Sequence, residues 1–116
     1  EEARAAELAD RARFAVAVER TGPAADGRYL TMRGVDMGEL VAPLERLLRP
    51  GLPWLGIGDG GNELGMGKVR DALLGSDVPH AAEIACAVAA PRLLACSVSN
   101  WGAYAVAAGL AATERA

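Results

Sequence analysis

Trp54-Leu55-Gly56-Ile57-Gly58-Asp59-Gly60-Gly61-Asn62-Glu63-Leu64-Gly65-Met66-Gly67-Lys68-Val69 is the stretch whose reading decides the fold. Its opening, Trp54 to Ile57, is a short apolar run of the kind that forms a fully buried strand. The run passes directly into a segment with six glycines between Gly56 and Gly67. Glycine admits positive φ and lets backbones approach closely, but ordering it is entropically unfavourable, so this density after a strand requires a reason. From about Glu63 or Leu64 to Leu74 the pattern predicts a helix, stopped at Gly75. Strand, glycine turn and helix together make the repeating unit of a parallel sheet, and ligands of such sheets sit at the carboxyl ends of the strands, where this turn begins.

Working outward, residues 2 to 12 are rich in helix formers and Arg13 to Val18 reads as a second buried strand. Thr21 to Gly38 shows no clean period and reads as a long loop, a feature more often functional than idle. Leu40, Val41, Leu44, Leu47 and Leu48 form an apolar stripe that predicts a helix ending near Pro50-Gly51. Ile84 to Val88 and Leu93 to Val98 are strand candidates split by Ala90-Pro91, and a last helix is expected after Ser99 or Asn100. The alternation predicts an α/β fold, a layered helix–sheet–helix with a mainly parallel sheet, in a single domain over residues 1–116.

The bulk properties narrow the function classes. A net charge of −3 without a basic stripe argues against a nucleic-acid partner. No apolar run is long enough to span a membrane, and no signal-peptide pattern is visible, so a cytoplasmic protein with no membrane partner is expected. The abundance of Ala and Arg hints at a GC-rich bacterial source. Cys86 and Cys96 lie in apolar stretches without metal-ligand spacing and read as buried free thiols.

Several chemistries can use the turn. Gly56-x-Gly58-x-x-Gly61 satisfies the dinucleotide-binding pattern, but Asp59 would then face a pyrophosphate, and like charges oppose that. Gly58-Asp59-Gly60-Gly61-Asn62-Glu63 is similar to the magnesium loop of haloacid dehalogenase phosphohydrolases, but that chemistry needs a DxD nucleophile and this chain has none. The plainest reading is a tight turn whose Asp caps a helix.

The whole string Gly56 to Val69 resembles the best-marked motif of the D-glutamate cyclase family. Glu19-Arg20-Thr21-Gly22-Pro23-Ala24-Ala25-Asp26-Gly27-Arg28-Tyr29 with Met32-Arg33-Gly34 is similar to a second segment of that family, and Ser97-Val98-Ser99-Asn100-Trp101-Gly102 to a third. The three occur in the family's order. The resemblance implies an intramolecular lyase that converts D-glutamate to 5-oxo-D-proline and water, in a domain of which this chain is the C-terminal part. It also implies an incomplete sheet, with self-association or a missing N-terminal half as the partner. The alternative is a non-catalytic fragment that binds or assembles.

Lactam closure needs proton transfer and stabilisation of an oxyanion. Asp59 and Glu63 are the expected proton-transfer pair, assisted by Asn62. Arg28 or Arg33 suits a substrate carboxylate, with Lys68 as a less selective candidate. The N–H groups of Gly60 and Gly61 suit the oxyanion, and Asn62 and Asn100 the orientation of substrate. No organic cofactor is implied; a divalent cation on Asp59, Glu63 and Asp26 is chemically reasonable, and the sequence does not decide it. Tyr29 is a candidate wall of the pocket, Trp101 is expected in the core, and His80 at the surface.

Overall fold

The computed structural model describes residues 2–115. Its elements in chain order are α1 (Glu2–Arg11), β1 (Ala15–Val18), β2 (Trp54–Gly58), α2 (Arg70–Leu74), α3 (Ala81–Ile84), β3 (Arg92–Ala95) and α4 (Ser99–Glu114). The strands form one sheet in the order β1-β2-β3, and both pairings are parallel. The α/β class with a parallel sheet is therefore what the chain adopts.

The register sorts side chains onto two faces, because successive residues of a strand point to opposite sides. Ala15 lies beside Trp54, and Gly56 lies between Ala17 and Leu93, on one face. There the chain after β2 folds back over its own strand, and Trp54, Leu64 and Ala90 form a buried cluster ringed by Ala15, Ala17, Leu48 and Val88. The approach is backbone against backbone: a Cβ on Gly65 would lie 3.1 Å from the Gly56 Cα and 2.9 Å from the Ala90 Cβ, and Gly65 holds φ +106. On the other face, Ile57 is fully buried beneath α4, where Gly102 leaves room for its Cγ2 and for Leu94. Val16 and Val18 on β1 stay exposed. A second small core of Ala24, Leu30 and Ile84 fixes the loop after β1 against α3.

Two expected helices are shorter than the apolar stripe suggested. The stripe from Leu40 to Leu48 yields only a 3-10 turn at Leu44–Leu47. Pro43 lacks an N–H and its ring clashes with the preceding turn, so no helix runs through it, and Leu40 is 86% exposed. The helix expected from Glu63 begins instead with a 3-10 turn at Gly67–Val69 and continues as α2. The left-handed Gly65 and the bridges of Glu63 to Thr21 and Met66 to Ala89 hold the intervening chain extended. The strand expected at Ile84 to Val88 is the end of α3 followed by extended chain, in which Cys86 bridges Ala24. Trp101, expected in the core, is 66% exposed. Only Ser99 and Gly102 of α4 are buried, so the helix is fixed at its first turn, by the fit at Gly102 and the bond of the Ser99 N–H to Asp59, while the rest of its length stands exposed. The radius of gyration, 14.7 Å, exceeds the roughly 13 Å typical of this length, consistent with a helix standing proud of the body.

Candidate functional site

β1 and β2 run parallel, so their carboxyl ends open on the same rim, and each ends in an acid: Glu19 follows β1 and Asp59 follows β2. Glu19 sits at φ 52, in the left-handed region that non-glycine residues avoid, while its N–H still donates to the Ile57 carbonyl at 3.1 Å. The chain leaving β1 then pairs antiparallel with the turn after β2. Leu64 N–H donates to the Arg20 carbonyl at 2.6 Å, and Gly22 N–H to the Asn62 carbonyl at 2.9 Å. This return brings Glu63 back to the rim. Carboxylate oxygens of Glu19, Asp59 and Glu63 all lie within 4.8 Å of one another.

Each acid of the turn already has a backbone partner. Glu63, 4% exposed, accepts the Gly60 N–H on Oε1 at 2.9 Å and the Gly61 N–H on Oε2 at 2.7 Å. These two N–H groups were expected to face an oxyanion; they face the Glu63 carboxylate instead, because a glycine turn this tight aims both at the side chain two and three residues on. Asp59 accepts the Ser99 N–H on Oδ2 at 3.0 Å, so it does cap a helix, though α4 rather than the helix that follows it. Asp59 remains exposed, and the side-chain hydroxyl of Ser99 beside it is buried without a partner. Asn62, 7% exposed, donates through Nδ2 to the Leu30 carbonyl at 2.7 Å. It therefore fastens the 28–34 loop to the turn, and its donor is not directed at a substrate.

The remaining candidates separate. Asp26 and Arg28 pair with each other at 2.7 Å in an exposed turn. The Arg28 backbone N–H, then its guanidinium, hold the Asp26 carboxyl below the usual range. Asp26 is not one of the clustered carboxylates. Lys68 donates through Nζ to the Pro91 carbonyl at 3.1 Å. Arg33 is exposed on the turn that follows Leu30, and Asn100 is exposed on the first turn of α4, next to Ser99. Tyr29 donates its hydroxyl to Glu45 at 2.6 Å, and burial with that bond pushes its pKa up to about 12. Cys86 is buried and Cys96 partly buried, both free, and burial pushes the Cys86 thiol up. His80 is half-exposed, 3.9 Å from Glu83.

Sequence reasoning missed Glu19 as a site residue. The signal was present: the rule that places ligands at carboxyl ends of parallel strands applies to β1 as well as β2. Three carboxylates this close repel one another and together attract a cation. An all-oxygen, acidic donor set fits a hard divalent cation such as Mg²⁺, Mn²⁺ or Ca²⁺, and equally an organic ammonium.

Among the described residues no helix is long and apolar enough to cross a membrane. Over residues 1–116 the chain matches the family described as D-glutamate cyclase-like, C-terminal. It is 46% identical over 100 residues to D-glutamate cyclase, mitochondrial, of Homo sapiens. That alignment covers 82% of this chain and 16% of the human protein. A human relative lends no support to the bacterial source suggested by composition. With the matched family spanning every residue, the chain belongs to the D-glutamate cyclase-like, C-terminal family.

Proposed function

We propose that this chain carries the acidic part of a site that cyclises D-glutamate to 5-oxo-D-proline and water. The observation that carries the reading is the convergence of Glu19, Asp59 and Glu63 on one rim of a chain with this family membership. Such a trio attracts the substrate's α-ammonium and holds it where its protons can be removed. In the reaction the ammonium gives up two protons, its nitrogen bonds the γ-carbon, and one γ-oxygen departs with both protons as water. Attack is intramolecular, so folding the substrate into the five-membered geometry supplies much of the rate.

The carboxylates divide the labour by their partners. Asp59, exposed and with only Oδ2 engaged by Ser99, takes the proton from nitrogen and returns it to the leaving oxygen. Glu63, held on both oxygens, supplies fixed negative charge. Glu19 closes the third side. With the Gly60 and Gly61 N–H groups engaged, a divalent cation held by the trio in place of the ammonium would polarise the γ-carboxyl, which the turn does not. Arg33 is the better contact for a substrate carboxylate, since Arg28 is tied to Asp26, and Asn100 lies beside the Asp59–Ser99 bond to orient it. The free thiols of Cys86 and Cys96 suit a reducing compartment.

A second reading, a binding or assembly module without catalysis, is favoured by the same bonds seen differently: both Glu63 oxygens and one Asp59 oxygen serve backbone N–H groups, as in a structural clasp. Incubation with D-glutamate, followed by NMR for 5-oxoproline, separates the two. The expected result is product, with Asp59→Asn reducing turnover by at least about a hundredfold. Unchanged turnover in Asp59→Asn removes the proton-transfer role, and no product from the unmodified chain leaves the module reading.

A further inference from the structure

We propose that the Met32 side chain forms the apolar wall of the carboxylate site and, together with the bare Cα of Gly60, sets the length of substrate side chain the site accepts. This inference rests on the cyclase reading above. Its geometry is local and direct. A Cβ placed on Gly60 would lie 2.6 Å from Met32 Sδ, 3.0 Å from Met32 Cε and 3.2 Å from Glu63 Oε1. The thioether and the acid therefore crowd the same point in space, one on the apolar side and one on the charged side. Gly60 is not among the residues with positive φ, so the backbone does not demand a glycine there. The demand is for room.

Met32 is well placed to use that room. Its backbone is anchored: Leu30 is 1% exposed and its carbonyl accepts from Asn62, while the Thr31 hydroxyl accepts the N–H groups of Arg33 at 3.2 Å and Val35 at 3.1 Å. Its side chain is 39% exposed, beside a rim that is otherwise acidic. An unbranched thioether adapts to irregular apolar surfaces, and a linear diacid offers such a surface in its methylenes once its ammonium meets the carboxylates. Seated on the bare Cα of Gly60 and beside Glu63 Oε1, the thioether stands at a fixed distance from the carboxylates, and that distance sets the depth of the slot. Apolar slots of this kind discriminate chain length by about tenfold or more per methylene.

The test follows methyl-labelled methionines by NMR as D-glutamate is added to the full chain, then repeats the titration with D-2-aminoadipate, one methylene longer. The Met32 methyl should shift saturably, more than those of Met37 and Met66. Met32→Ala, at an exposed position, should fold normally, bind D-glutamate about tenfold more weakly, and gain on the longer diacid relative to D-glutamate. Gly60→Ala should displace the thioether and weaken D-glutamate binding, and adding Met32→Ala to it should relieve that part of the loss. If D-glutamate binds while the Met32 methyl stays fixed and Met32→Ala changes neither affinity nor preference, the wall assignment is overturned and the cyclase reading stands. If the unmodified chain binds no D-glutamate, both are overturned together.

Discussion

The turn after β2 and the helix α4 are both rich in small residues, yet they differ in what surrounds them. From Gly56 to Met66 every residue except Asp59 and Gly60 is buried. In α4 only Ser99 and Gly102 are. In the turn, glycines exist because neighbouring backbone and side chains occupy the space of a side chain. Near the end of α4, Gly109 has nothing within 4 Å of where a Cβ would stand. The same residue type thus marks a packed, positioned device in one region and an unconstrained surface in the other, and it is the turn that carries two of the three clustered carboxylates.

Substitutions can break that contrast. Gly65→Ala should have the largest effect on stability, about 3 kcal/mol of loss in chemical denaturation, because φ +106 and the Gly56 backbone both oppose a methyl there. A loss under about 0.5 kcal/mol would show the turn to be loose. Glu63→Gln keeps the shape but sets an NH₂ group against one of two N–H donors; unfolding should become easier by about 2 kcal/mol, the penalty of an unsatisfied buried donor. Gly109→Ala should go the other way, raising stability by about 0.5–1 kcal/mol through helix propensity alone.

The smallest effect is a pH dependence. Tyr29 is raised to about 12 in the folded chain against 10.0 for the free group, so folding favours its protonated form. The stability it contributes is fully present below pH 10 and is lost as pH rises toward 12. Tyr29→Phe should flatten the stability curve in that window, which denaturation at stepped alkaline pH would register.

The sequence was most legible where one residue type dominated the local energetics. Trp54 to Ile57 has little alternative to a buried strand, and the uncharged run from Ser99 to Thr113 has little alternative to a helix. Arg13 to Val18, expected as a second buried strand, yields a strand at Ala15–Val18 whose residues are exposed or half-buried, because it lies at the edge of the sheet. The elements that failed did so through single residues. Pro43 cut an otherwise convincing helical stripe, and Gly65 postponed the helix after the turn. Trp101 is expected in the core from its place early in an apolar helix, but Gly102 is the residue that fits against Ile57, Leu94 and Cys96. Within the site, the identity of the acidic turn was readable and its wiring was not. That Glu63 would take the Gly60 and Gly61 N–H groups, and that Asn62 would reach Leu30, depend on a chain reversal that only tertiary pairing with Arg20 and Gly22 creates.

Asp59 belongs to two structures at once, the acidic rim and the head of α4. Whatever neutralises its charge also slackens its grip on the Ser99 amide, and Trp101 stands two residues further along with its indole in water while Trp54 is sheathed. Occupancy of the rim should therefore register as a change in the chain's own tryptophan emission, and a spectrum unchanged by a ligand that binds there would show the first turn of α4 to be indifferent to the rim.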